Sequence, residues 1–278
     1  MTDDRTALVL GGGGVTGIAW ATGLLLGLER GGLALRDADR IIGTSAGAAV
    51  GAQLTGPLSL DDLYDRQLCG VVRELPGGLS GAALLRIGLP VALRHDAAAA
   101  LRSIGRFAAS RAEDRREARR HVIEQRLDGA DWASDRDLGL TAIDIDSGER
   151  VVFTAGGPAS LADAVEASCA VPGVWPVVTI DGHRYMDGGM RSPANVDLAD
   201  GASQAVVIAP MPRAARKDTA AQVELSALGI PGAVLSPDEQ SRAAIGTNAL
   251  DPSARTAAAQ AGLAQAVRDA DAVAAVWG

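Results

Sequence analysis

Aromatic residues make up only 3% of this 278-residue chain, histidine occurs three times and cysteine twice. Each scarcity removes an option. With so few rings, the core has to be packed from alanine, valine, leucine and glycine, which favours close helix-on-sheet contacts over aromatic clusters. Cys69 and Cys169 are too few for a disulfide framework and stand in no metal-ligand spacing, so the expectation is a reduced, intracellular setting with no metal. No apolar run is long enough to cross a bilayer; the longest, Gly17 to Leu28, reads as a buried helix. The start, Met1-Thr2-Asp3-Asp4-Arg5, lacks the basic leader and cleavage region of a signal peptide, and a cytoplasmic location is expected, with peripheral membrane contact allowed. The formal net charge is -8 and no segment pairs basic with aromatic residues, so nucleic acid is not an expected partner.

What is present is apolar and rich in glycine. At 47% hydrophobic residues and 28.2 kDa, the chain can bury one substantial core and is expected to form a single domain over residues 1–278. Thr6 to Leu10 reads as a short buried strand, Gly11-Gly12-Gly13-Gly14 as a turn, and Gly17 to Arg30 as a helix; Arg40 to Gly43 and Ala46 to Leu54 repeat the pattern. This alternation predicts an α/β fold: a three-layer sandwich with a mainly parallel central sheet and helices on both faces.

From about residue 60 to 135 strand signals disappear, and a helical cap insertion is expected. Within it, Leu79 to Leu93 is an apolar stretch read as core packing in preference to acyl-chain contact. Arg102 to Arg126, interleaved with Glu113, Asp114, Glu117 and Glu124, reads as a solvated helix face. Two hairpins follow, one turning at Asp146-Ser147-Gly148 and one at Asp181-Gly182, with a helix from Leu161 to Cys169 between them. Gln204 to Pro210 reads as a strand, Ser253 to Val276 as an outer helix, and Pro212 to Pro252 as the least regular part.

Two glycine motifs carry chemistry. Gly43-Thr44-Ser45-Ala46-Gly47 is a G-x-S-x-G sequence between a strand and a helix, a setting that turns the serine oxygen outward at a sharp elbow. The glycine run about thirty residues earlier offers bare backbone N–H groups at a helix start, suited to the negative oxygen that forms when an ester is attacked. The serine needs a base. His95 and His121 lie on charged helices, and no histidine follows His183, so the search moves to a carboxylate. Asp187 is the best placed, because Gly188 and Gly189 after it permit a tight turn.

On these residues the chain resembles the patatin-like phospholipase family. Gly12-Gly13-Gly14-Val15-Thr16-Gly17 is similar to its oxyanion loop, Gly43 to Gly47 to its nucleophile motif, Asp187-Gly188-Gly189 to its D-G-G/A motif, and Ala167 to Gly173 to the segment before it. The resemblance spans roughly Leu8 to Asn195. It implies lipid acyl ester hydrolysis by a Ser45–Asp187 dyad, with an oxyanion hole at Gly12, Gly13 and Gly14 and no cofactor. It also implies a basic residue where this chain has Thr16. An aspartate serving as base needs partial burial to raise its pKa.

Three other readings compete. Gly12-x-Gly14-x-x-Gly17 also fits a dinucleotide-binding fingerprint, which wants an acid at the end of the second strand, whereas Asp37 and Asp39 precede that strand. A conventional triad would pair His183 with Asp144 or Asp146. Thr16 and the unusual cap also admit a non-catalytic lipid-binding protein of the same fold. At the level of single residues, Ser45 also fits the cap of an ordinary helix and Asp187 the end of a hairpin.

Overall fold

The computed structural model describes residues 5–93, 96–110 and 115–277. Met1 to Asp4, His95, Glu113 and Asp114 lie outside them. Four strands, β1 (Thr6–Leu10), β2 (Arg40–Thr44), β3 (Asp137–Asp144) and β4 (Arg150–Phe153), come first, followed by β5 (Val178–Ile180), β6 (His183–Asp187), β7 (Gln204–Ile208) and β8 (Gly232–Leu235). They form one eight-stranded sheet in the order β5-β6-β3-β2-β1-β7-β8, with β4 also paired to β3. The run β3-β2-β1-β7-β8 is parallel, and β4, β5 and β6 join antiparallel at one side.

Alternation along β1 divides the core. Leu8 and Leu10 face one apolar layer, with α1 (Gly14–Arg30), α2 (Ala46–Leu54), α3 (Leu60–Cys69) and α10 (Arg255–Trp277). Ala7 and Val9 face the other, with the segment 194–199 and α8 (Ala221–Leu228). A third cluster joins Ile143 and Met186 to Leu101 and Ile104 of α5 (Ala97–Ala109). Helices therefore flank a mainly parallel sheet on both faces, as expected from the strand-helix alternation.

Both predicted hairpins form. Asp181 and Gly182 each take positive φ, 48° and 79°, which matches the twist of a two-residue hairpin turn. Between α2 and β3 the described residues hold helices and no strand: α3, α4 (Gly81–Leu93), α5 and α6 (Arg116–Leu127). After these come α7 (Leu161–Ser168) and, before α10, α9 (Glu239–Ile245).

Three expectations need correction. The leucines of α4 are not core: Leu85 is 69% and Leu93 71% exposed, and only Ala83 of that helix is buried. The arginines of α6 are not all solvated, since Arg119 and Arg126 are buried. The irregular stretch 212–252 contains α8, α9 and the parallel edge strand β8. No helix among the described residues is long and apolar enough to cross a membrane.

Candidate active site

The parallel register sets Leu10 opposite Gly43, so β1 and β2 end together and their following turns meet at one edge of the sheet. The chain then has to reverse into α2 beside the end of β1. Gly47 allows it: a Cβ there would lie 1.9 Å from the Leu10 carbonyl oxygen. Its N–H donates to the Gly11 carbonyl (3.1 Å), locking the two turns together. Ser45 takes φ 55° and ψ -114°, left-handed backbone that costs a non-glycine residue about 1–3 kcal/mol. Its side chain makes no capping bond to α2, so the helix-cap role is not the one it fills.

The strain is held by the segment after α7. The Ser45 N–H donates to Ser168 Oγ (2.9 Å), and the Cys169 thiol donates to the Ser45 carbonyl (3.1 Å). Burial pushes the Cys169 thiol up to about 11, so it stays protonated and able to donate. One residue further on, the Ala170 carbonyl accepts the Asp187 N–H (3.0 Å). One short segment thus fixes the backbones of both predicted site residues.

Pairing on β3 brings those two residues together. On one edge of β3, Thr44 stands opposite Thr141 and Asp187 opposite Ala142, so β2 and β6 arrive from opposite directions and end against each other. Gly188 lets the chain turn there, because a Cβ would lie 2.3 Å from Thr141 Oγ1. Asn195 closes the corner, donating from Nδ2 to Thr44 Oγ1 (3.1 Å) and to the Ser192 carbonyl (2.9 Å).

Asp187 is 2% exposed and Ser45 8% exposed. Asp187 Oδ1 accepts the Gly189 N–H (2.8 Å), which is the turn role weighed for it, and the adjacent Ser45 side chain favours the charged form of its carboxylate. Burial outweighs these influences and the nearby Arg119 charge, raising the pKa from 3.8 to about 6.

Both residues line a cavity of about 490 Å³. Its walls include Val15, Ile18, Leu79, Leu84, Trp175 and Leu250, an apolar enclosure within the ordinary size range of small-molecule sites. Gly12, Gly13 and Gly14 line it as well, yet they are not equivalent. The Gly12 N–H is already spent on the Pro193 carbonyl (2.8 Å), which removes it from the expected oxyanion donors. Gly13 and Gly14 N–H groups, and that of Ala46 at the start of α2, have no acceptor among the described residues. Ala46 escaped the sequence reading, although its place directly after the serine was a usable signal.

The other candidates fall elsewhere. His183 Nδ1 does pair with Asp144 (3.2 Å), but His183 is at the far end of β6, roughly 13 Å from Asp187 at about 3.3 Å per residue, and neither His183 nor Asp144 lines the cavity. His121 pairs with Gln125 on the surface of α6. Asp39 accepts from the Thr6 N–H (2.7 Å) at the opposite end of the sheet from the glycine loop, and β2 ends in Thr44, so the acid required by a dinucleotide site is missing there. Thr16 is fully buried, its Oγ1 and N–H both directed to the Ala249 carbonyl at 3.3 and 3.1 Å. Two cations reach the cavity from α6 instead, Arg119 and Arg126.

A mixed α/β sheet whose glycine loop and serine elbow open onto an apolar cavity is the frame of a lipid acyl hydrolase. Residues 8–200 match the family model described as patatin-like phospholipase, and the chain belongs to that family. Among solved structures, VipD from Legionella pneumophila is similar in fold, at 14% identity and a TM-score of 0.51, over 97% of this chain and 67% of that one. The type III effector protein ExoU matches at 20% identity and a TM-score of 0.45, over 97% of this chain and 53% of that one, so this chain spans about half of ExoU's length.

Proposed function

We propose that this protein hydrolyses acyl esters of lipids, with Ser45 as nucleophile and Asp187 as general base. The observation that carries the reading is a serine and a carboxylate, both buried, both held by the segment after α7 and both lining one apolar cavity. Ser45 Oγ attacks the ester carbonyl carbon while its proton passes to Asp187. The oxygen that becomes negative is held by the N–H groups of Gly13, Gly14 and Ala46, whose positions at two helix starts favour an anion. Collapse expels the alcohol, which takes the proton from Asp187, and leaves the acyl group on Ser45. Water then attacks the acyl-enzyme, Asp187 receives its proton, and collapse releases the fatty acid as the proton returns to Ser45 Oγ. No step calls for a cofactor.

Substrate presentation falls to α4. Leu84 both lines the cavity and is 55% exposed, continuous with Leu85, Leu89 and Leu93 on the same helix. Arg86 is the only charged residue in α4. An exposed apolar face with a single cation, running into the cavity mouth, suits a lipid surface.

The test is labelling by a fluorophosphonate probe together with ester hydrolysis across acyl lengths. Wild type is expected to be labelled and active. Ser45→Ala should lose labelling and at least about 1000-fold in kcat/KM, and Asp187→Asn a comparable factor in rate. Folded wild-type protein that neither labels nor hydrolyses any ester would leave the fold as a lipid binder.

A further inference from the structure

Ester hydrolysis leaves one charge in the cavity without a task. Arg119 lies on α6, is 6% exposed and lines the cavity. Its guanidinium makes no hydrogen bond or ion pair with any described residue, and its Nε is a buried donor with no partner. It stacks over Trp175, Cζ 4.5 Å from the ring centroid, and Arg115 lies 4.9 Å from the same ring. Trp175 thus fixes the plane of the guanidinium and leaves its edge free.

Neighbouring carboxylates make their ion pairs with other arginines, each glutamate leaving one buried oxygen, Glu74 Oε2 and Glu166 Oε1, without a hydrogen bond. Glu74 pairs with Arg126, and Glu166 with Arg120 at 3.3 Å. Asp187 accepts from the Gly189 N–H and adjoins Ser45. Burying a cation without a direct ion pair is costly, and burial pulls the Arg119 pKa below its usual value against the opposing pull of Glu74 and Glu166 nearby. A fixed guanidinium fork with free donors inside a substrate cavity matches a planar or tetrahedral oxyanion, for which arginine gives two parallel charged hydrogen bonds.

We propose that Arg119 binds the phosphate group of an anionic acyl ester, so that the site selects phosphate-bearing lipids over neutral ones. This rests on the hydrolase reading for its biological meaning, but the anion site stands on its own geometry. It is therefore tested first in Ser45→Ala protein, where no turnover is needed.

Calorimetric titration with dodecyl phosphate, dodecyl glucoside and inorganic phosphate separates the possibilities. Dodecyl phosphate is expected to bind at least tenfold tighter than the glucoside, and Arg119→Gln to erase that preference. Arg119→Lys, which keeps the charge but not the fork, should retain part of it, and it decides the matter if the glutamine variant does not fold. Inorganic phosphate is expected to bind more than tenfold more weakly than dodecyl phosphate. Equal binding would overturn the assignment to a lipid. Equal affinity for the two amphiphiles, or an unchanged preference in Arg119→Gln, would overturn the anion site itself. In the active enzyme, the ratio of kcat/KM for lysophosphatidate to that for monoacylglycerol should fall about 10- to 100-fold in Arg119→Gln, the weight of a hydrogen bond to a charged group, with the change in KM. A fall shared equally by both substrates would mark a structural role and refute the proposal. Absent labelling of Ser45 with the phosphate preference intact would sink the hydrolase reading and leave the anion site standing.

Discussion

As the proposed base, Asp187 is a compromise between two demands. To accept a proton from Ser45 it has to be charged near neutral pH, yet it is buried, and burial penalises the charge. With a pKa of about 6, activity should fall tenfold per pH unit below that value and level off above it; a kcat/KM profile on a neutral, soluble ester reads this directly. A profile flat down to pH 4 would contradict the assignment. Stability runs the other way. A folded-state pKa raised above the unfolded one gives stability that is fully present below 3.8 and lost as pH rises through about 6. The difference of about two units corresponds to about 3 kcal/mol at most. Asp187→Asn should therefore be more stable than wild type at pH 8, by about 1–3 kcal/mol, with the gain fading towards pH 4, as urea unfolding at the two pH values would show. Thr16 poses a different constraint. It fills the position where the sequence resemblance calls for a basic residue, but it is sealed against the Ala249 carbonyl. Thr16→Arg should consequently destabilise by several kcal/mol, seen as a lower Tm.

At the level of elements, the part of the site made by turns was legible because its residue types are demanded by backbone geometry. Gly47 and Gly188 sit where a Cβ would collide with a neighbouring strand, and Ser45 stands where left-handed backbone is needed. Side-chain placement on helices was less legible. In α6 the positions Arg119, Val122, Ile123 and Arg126 recur at i, i+3, i+4 and i+7, the spacing of a buried face, but the charged heads hid the pattern behind an expectation of solvation. In α4 the leucines suggested core, and only the tertiary arrangement reveals that the helix lies at the rim of the cavity. The four-residue strand β8 is too short to show a period and follows a glycine and a proline, so its signal was drowned by turn residues. The exposed face of α4 gives the prediction at this scale. Leu85→Glu combined with Leu89→Glu replaces two exposed leucines one helical turn apart, so the fold should change in stability by no more than about 0.5 kcal/mol. Co-sedimentation with phospholipid vesicles should drop, and hydrolysis of vesicle-borne lipid should fall further than hydrolysis of a dissolved ester. Unchanged co-sedimentation would remove α4 from the membrane reading.

Across the whole molecule, the site depends on a seam far from its chemistry. The family match ends at residue 200, yet α1, whose first turn carries the free N–H groups of the glycine loop, is seated along α10 at residues 255–277. With few aromatic side chains to fill a wider gap, the two helices approach until their backbones nearly touch. A Cβ on Gly262 would lie 2.1 Å from the Trp20 carbonyl oxygen, and one on Gly23 would lie 2.0 Å from that of Ala259. Trp20 Nε1 donates across the seam to Gln265 Oε1 (3.2 Å), which fixes the axial register of the pair. The segment just before α10 supplies Asn248, Ala249 and Leu250 to the cavity wall, and Ala249 anchors Thr16. Pushing α10 outward therefore has to displace both the wall and the start of α1. Gly262→Val should lower stability by about 3 kcal/mol, the upper range for overpacking a closed core, whereas Ala264→Val on the exposed side of the same helix should cost about 0.5 kcal/mol through helix propensity alone. Urea unfolding of the two variants, with fluorophosphonate labelling of the folded fraction, checks both halves. If Gly262→Val unfolds at the same urea concentration as Ala264→Val, the seam is looser than its geometry requires and cannot be what seats the glycine loop.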